Sequence, residues 1–117
     1  MPHEPEKYLF DMLDSARFLQ ELSKGRTLDE LRNDRAFRSA VERELQIIGE
    51  AAIMLEKVAP DLVSRITEHA RIVRFRHILV HGYDKIDRDI LWNVLQSKLV
   101  IMTSDIDRLL KQLDKSS

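Results

Sequence analysis

The chain contains no cysteine, and it has few of the residues that interrupt helices or favour sheets. Without cysteine it has neither a disulfide framework nor a thiolate metal site. Only three glycines, three prolines and 6% aromatic residues occur among its 117 residues, which favours long helices over β-sheet. No apolar run approaches the roughly 20 residues that cross a bilayer, and no charged, apolar and small-residue signal segment is recognisable. We therefore expect a helical protein of the cytoplasm that does not contact a membrane.

The length and charge of the chain indicate one domain, residues 1–117, with an unevenly distributed charge. The hydrophobic fraction of 44% excludes general disorder. The formal net charge is −1, from 19 basic and 20 acidic residues, so the basic excess of many nucleic-acid-binding proteins is missing. Between Arg65 and Arg76, however, four arginines accompany a single acid, Glu68. This segment predicts a local basic patch.

Apolar residues at helical spacing predict long helices joined by short loops. The first helix is expected over residues 4–24 and ends at Gly25. Thr27 and Glu30 resemble a capping box that starts a short helical turn to about Leu31. A second long helix is expected over residues 34–58. The third helix carries Ile66, Ala70, Val73 and residues 76–81 and ends near Gly82. Asp87 is expected to cap a last helix that reaches about residue 113. The predicted fold is an all-α, antiparallel up-down bundle of four to five helices.

The most informative segment is residues 76–83, with the sequence Arg-His-Ile-Leu-Val-His-Gly-Tyr. Arginine holds a phosphate with a planar fork of donors, and histidine transfers a proton near neutral pH. Tyrosine adds a ring that can stack and a hydroxyl that can form hydrogen bonds or be modified. Together these side chains suggest chemistry on a phosphodiester without a metal ion.

Arg76 falls within an apolar arc of the third helix, where a guanidinium is costly unless it is paired or bound to a ligand. In one interpretation it forms a structural ion pair with Glu44, which lies in the apolar arc of the second helix. In the other, the arc faces a cleft or a second subunit, where Arg76 meets a phosphate. Both can hold, because a carboxylate can orient an arginine that also binds substrate.

His77 and His81 are four residues apart and share one helix face. A metal pair is the weakest interpretation, because further ligands such as Asp84 would be needed. A surface pair at a helix C-terminus is the most common role for such residues. The third interpretation, a general acid or base, is favoured for His81 by its neighbours. Tyr83 has a structural alternative too, closing the end of the bundle with its hydroxyl in water.

The spacing Arg76, four residues, His81, one residue, Tyr83 matches the R-x-x-x-x-H-x-Y signature of HEPN-domain ribonucleases. The wider chain resembles the HepT branch, the toxin of pairs formed by a HEPN protein and a minimal nucleotidyltransferase. Supporting segments are residues 40–51, Ala-Val-Glu-Arg-Glu-Leu-Gln-Ile-Ile-Gly-Glu-Ala, and residues 87–92. One position departs from the family pattern. His77 stands where members often have Asn or Asp, which helps to position the catalytic group.

The resemblance implies a dimeric helical bundle in which two copies of the motif line a shared cleft. It implies a metal-independent endoribonuclease, without a cofactor, that acts on cellular RNA, with tRNA as the favoured target. His81 would act as general acid or base and Arg76 would stabilise the charge on the phosphorane, with His77 and Glu44 in supporting or orienting roles. The implied partner is a nucleotidyltransferase antitoxin that transfers AMP to Tyr83. Two alternatives remain: a non-catalytic binding or dimerising partner of a nucleotidyltransferase, and a plain dimeric helical protein with a structural Arg76–Glu44 pair.

Overall fold

The computed structural model of the chain describes residues 4–81 and 87–116, and these residues form helices and turns without a strand. The predicted helix exit at Gly82 and the motif tyrosine Tyr83 lie outside the described residues. The elements are α1 (Glu4–Ser23), α2 (Leu28–Asn33), α3 (Arg35–Val58), α4 (Pro60–Val63), α5 (His69–His81), α6 (Arg88–Asn93), a π-helical turn (Val94–Lys98) and α7 (Leu99–Ser116). This architecture confirms the predicted all-α bundle.

The helix boundaries near the N-terminus follow local capping chemistry. Gly25 has a φ of 74°, a left-handed conformation that favours glycine after a helix end. The Thr27 hydroxyl accepts a hydrogen bond of 3.1 Å from the Glu30 N–H, as the capping box predicts. The Asp34 side chain accepts one of 3.1 Å from the Phe37 N–H and caps α3.

α3 is the central helix of the bundle. It packs against α1 and α5, and α1 also contacts α7. The apolar side chains that these helices bury include Leu9, Met12, Leu19, Val41, Leu55, Ile106 and Leu109, each at most 2% exposed. Because α5 lies on α3, this central helix determines where the signature residues are placed.

α5 begins later than the sequence pattern predicted. Ile66 is buried, with 1% exposure, but it lies in a turn before the helix. The buried Asp105 carboxylate accepts a hydrogen bond of 2.8 Å from the Thr67 N–H, and Glu68 follows with a φ of 58°. A left-handed residue cannot continue an α-helix, so the tertiary contact to α7 delays the start of α5.

The predicted last helix is continuous but not uniform. The Asp87 side chain accepts a hydrogen bond of 2.8 Å from the Asp89 N–H, which confirms the predicted cap. α6, the π-helical turn and α7 then follow one another without a loop. Within the described residues, none of the helices has both the length and the apolar character needed to cross a membrane.

Candidate active site

The last two turns of α5 bring together three of the predicted site residues. Arg76, His77 and His81 all lie within this helix, which the structure describes to His81. Arg76 is half-buried, whereas both histidines are exposed. The helix therefore places an arginine against the protein and two imidazoles in solvent, within about 8 Å along its axis.

The apolar arc that was predicted around Arg76 is the face of α5 that the rest of the bundle covers. Leu79 is buried, with 3% exposure. The other apolar members of the arc are half-buried: Ile72, Val73, Phe75 and Val80. At 100° per residue Arg76 lies near the middle of this arc, as predicted, and it packs where α5 meets α3.

Gly49 of α3 provides the space in which the Arg76 stem packs. A Cβ atom added at position 49 would come within 2.6 Å of Arg76 Cγ and closer still to Arg76 Cβ. The Nε atom of Arg76 is buried and has no hydrogen-bond partner among the described residues. The stem is thus fixed by packing, while a strong donor of the guanidinium remains without an acceptor.

Gln46 makes a second contact between the same two helices. Its side-chain amide donates a hydrogen bond of 3.5 Å to the Leu79 carbonyl, which lies in the last turn of α5. Contacts of Gln46 with Leu79 and of Gly49 with Arg76 require α3 and α5 to run antiparallel. Gln46 and Gly49 therefore set the position of the helix end that carries the signature.

The structure contains no ion pair between Arg76 and Glu44, although both lie within the described residues. The structural alternative drawn from the sequence is therefore not formed. Glu44 is half-buried, but it does not lie on the side of α3 that faces α5. That side carries a row of residues spaced by four and three, namely Glu42, Gln46 and Gly49.

Glu42 is the carboxylate of that row. Burial raises the pKa of Glu42 above its ordinary value of 4.5, against the lowering effect of the positive charges of Arg38 and Arg88.

Sequence reasoning favoured Glu44 because it considered the apolar arc of each helix separately and not the register of two packed helices. It also missed the role of Gly49, although a glycine inside a long helix costs about 1 kcal/mol relative to alanine and so indicates a close approach.

The two histidines touch. Their ring centroids are 4.6 Å apart, with the ring planes tilted by 51°. This contact places a second imidazole, able to donate and accept hydrogen bonds, directly beside His81. In the described parts of the chain, no group of three or more His, Asp or Glu side chains is arranged to hold a metal ion.

A cavity of about 240 Å³ lies on a different side of α5. Its walls include Ile72 and Phe75 of α5, Ile90 of α6 and Met102 of α7. Arg76, His77 and His81, the described residues of the predicted site on α5, do not line it. The cavity is therefore separate from the arrangement of Arg76, His77 and His81.

Comparisons with known proteins identify the family of the chain. The sequence model of the family described as "Ribonuclease HepT-like" matches residues 12–113. Two Methanocaldococcus jannaschii proteins that are provisionally named RNases are similar to this chain. One is 25% identical over 92% of this chain and 88% of its own length. The other is 29% identical over 86% of this chain and 91% of its own length. A Thermococcus cleftensis protein named "Probable ribonuclease HepT" is 24% identical over 95% of this chain and 100% of its own. No solved structure gives a significant match. Because the family model covers most of the chain, this protein belongs to the HepT-like ribonuclease family.

Proposed function

We propose that the chain is a metal-independent endoribonuclease that cleaves RNA by attack of a ribose 2′-OH on the adjacent phosphate. One observation carries the proposal. The Arg76 stem is packed against Gly49 with no carboxylate partner among the described residues, one to two turns from the exposed His81. An arginine that is fixed but unpaired is suited to bind an anion that is not part of the chain.

In the proposed reaction the 2′ oxygen forms a bond to phosphorus and the bond from phosphorus to the 5′ oxygen breaks. The products are a 2′,3′-cyclic phosphate and a free 5′-hydroxyl. His81 removes the 2′-OH proton or protonates the leaving 5′ oxygen, and His77, in ring contact with it, orients His81 or exchanges the second proton. The Arg76 guanidinium stabilises the charge of the phosphorane. DNA is not a substrate, because it lacks the nucleophile.

The active form in this proposal is a homodimer in the cytoplasm whose two copies of the motif line one cleft. α3, one of the helices of the site, exposes the apolar side chains of Met54 and Val58, which are four residues apart. Neighbouring exposed apolar side chains are typical of a surface that a partner covers. A second copy of the chain would bring its own Arg76 and His81 to the same cleft.

The proposed biological role is that of a toxin held inactive by a minimal nucleotidyltransferase antitoxin, and its proposed target is tRNA. The antitoxin would catalyse attack of the Tyr83 phenolic oxygen on the α-phosphorus of ATP. Pyrophosphate leaves and the phenol loses its proton. AMP on Tyr83 would add negative charge two residues from His81 and repel the RNA backbone. This role rests on the family resemblance of the motif.

The test is incubation of the purified protein with total tRNA in excess EDTA, beside His81→Ala. We expect cleavage by the wild type alone, with 2′,3′-cyclic phosphate ends. Cleavage by both proteins would contradict the role of His81. No cleavage by either protein, when both fold, would favour the alternative of a non-catalytic partner of a nucleotidyltransferase, which the net charge of −1 also fits.

A further inference from the structure

The charge of the bundle is divided between its helices. α1 carries five acidic and two basic residues, whereas α5 carries three arginines, three histidines and no acidic residue. α3 packs against both of these helices, whereas α1 and α5 do not pack extensively against each other. The near-neutral chain therefore has a locally basic surface on α5, where an anionic polymer would be attracted.

Four side chains form a row along the solvent face of α5, which we name the basic row: Arg71, Arg74, His77 and His81. All four are exposed, and at 100° per residue they fall within an arc of about 120°. From Arg71 to His81 the row is about 15 Å long at the rise of an α-helix. At the roughly 3.4 Å spacing of phosphates along a stacked strand, it spans about four nucleotides.

The arginines of this row are available to a ligand. Arg74 has no ion pair or hydrogen bond among the described residues. Arg71 has one partner, Glu68, at 3.5 Å, and its side chain is 67% exposed. Such surface pairs contribute little to stability, and Glu68 has a second cation, Lys98, at 3.2 Å. Arg71 can therefore exchange its carboxylate for a phosphate at little cost.

We infer that the basic row binds the backbone of single-stranded RNA and leads it along α5 to His81. Arg71 and Arg74 each contact a phosphate on one side of the cleavage point. Ile78, 45% exposed between Arg74 and His81, gives an apolar contact for an unstacked base. A single strand is the fitting ligand because its unstacked bases are free to make such a contact. The inference rests on the proposed function for its substrate, and it assigns substrate-positioning roles to residues outside the signature.

The experiment measures binding and not cleavage. A fluorescent 12-nucleotide RNA with 2′-O-methyl groups on all riboses cannot react, and its Kd is measured against KCl concentration. The double variant Arg71→Gln and Arg74→Gln is compared with Lys111→Gln and Lys115→Gln, two exposed lysines of α7 that give the same change in charge. Circular dichroism confirms that both variants fold.

The slope of log K against log salt should fall by about 1.4 in the arginine variant, since each phosphate contact contributes about 0.7 for a single strand. If both proteins bind the RNA equally at 1 M KCl, the arginine variant should bind it about 25-fold more weakly than the wild type at 0.1 M KCl. The lysine variant should keep the wild-type slope. Equal slopes in all three proteins, or no binding by the wild type, would overturn the inference, as would equal or tighter binding of an RNA duplex. If the arginine variant loses slope as expected but the wild type cleaves no RNA, the result supports the basic row and refutes the proposed function.

Discussion

The side chain of Arg76 fills the space that a side chain at position 49 would occupy. A Cβ atom there would overlap Arg76 Cβ and lie 2.6 Å from Arg76 Cγ, atoms too near the backbone to move without the helix. We predict that Gly49→Ala separates α3 from α5 and costs about 1–3 kcal/mol of stability from overpacking, partly offset by about 1 kcal/mol of helix propensity. Cleavage should fall about 100-fold, because a displacement near 1 Å of a catalytic group has effects of that size.

Ser39→Ala is the matched control for this prediction, because it raises helix propensity at an exposed position of the same helix. Urea unfolding and the rate of tRNA cleavage are measured for both variants. If Gly49→Ala were as stable and as active as Ser39→Ala, Gly49 would not position Arg76.

The two histidines should differ in their effect on cleavage, although their rings are only 4.6 Å apart. We predict that His81→Asn lowers kcat by about 10²–10⁴, the usual contribution of a general acid or base. His77→Asn should keep most of the activity, because Asn preserves the hydrogen bonds of an orienting residue. Single-turnover cleavage in EDTA measures both effects. A larger loss in His77→Asn would transfer the acid or base role to His77.

The sequence predicted what depends on neighbouring residues and missed what depends on distant contacts. The caps at Thr27 and Asp87 were predicted correctly because each side chain accepts a hydrogen bond from a backbone N–H two or three residues away. The start of α5 was predicted too early because its position depends on Asp105, 38 residues from Thr67 along the chain.

The same distinction applies to the site. Helical period alone places Arg76, His77 and His81 on the last turns of one helix. The helical period of α3 or of α5 does not determine which residues of the two helices face each other. Glu44 was therefore favoured over the row that includes Gln46 and Gly49.

Tyr83→Phe tests the proposed partner. The phenolic oxygen is the proposed acceptor of AMP, so this variant should stay active in the presence of the nucleotidyltransferase and ATP, whereas the wild type loses activity. Intact-mass measurement should show the added AMP on the wild type alone. Covalent AMP on Tyr83→Phe, with loss of cleavage, would place the modification elsewhere.

Glu42 should make stability fall as pH rises. Burial, opposed by Arg38 and Arg88, raises its pKa above 4.5, so the folded state holds the proton to a higher pH than the unfolded chain. Stability must therefore decline as pH rises from 4.5 through the folded pKa. Glu42→Gln removes this decline and should gain stability relative to the wild type over that interval, as measured by thermal unfolding at a series of pH values. A difference that is independent of pH would contradict the assignment.

Asp105 should have the opposite dependence on pH. Burial tends to raise its pKa, but the Thr67 N–H, the Thr67 hydroxyl and Arg108 outweigh that effect and lower the pKa below 3.8. The folded state therefore releases the proton more readily than the unfolded chain, and the stabilisation is present above pH 3.8 and lost as pH falls through the folded pKa. Asp105→Asn should cost about 1–3 kcal/mol at pH 7, and this cost should shrink as pH falls below 3.8 through the folded pKa, where the wild-type carboxylate takes up its proton. Urea unfolding at both pH values measures it, with Asp14→Asn, at an exposed position of α1, as the control. Equal stabilities of the two variants at pH 7 would show that the contact to Thr67 does not hold the start of α5.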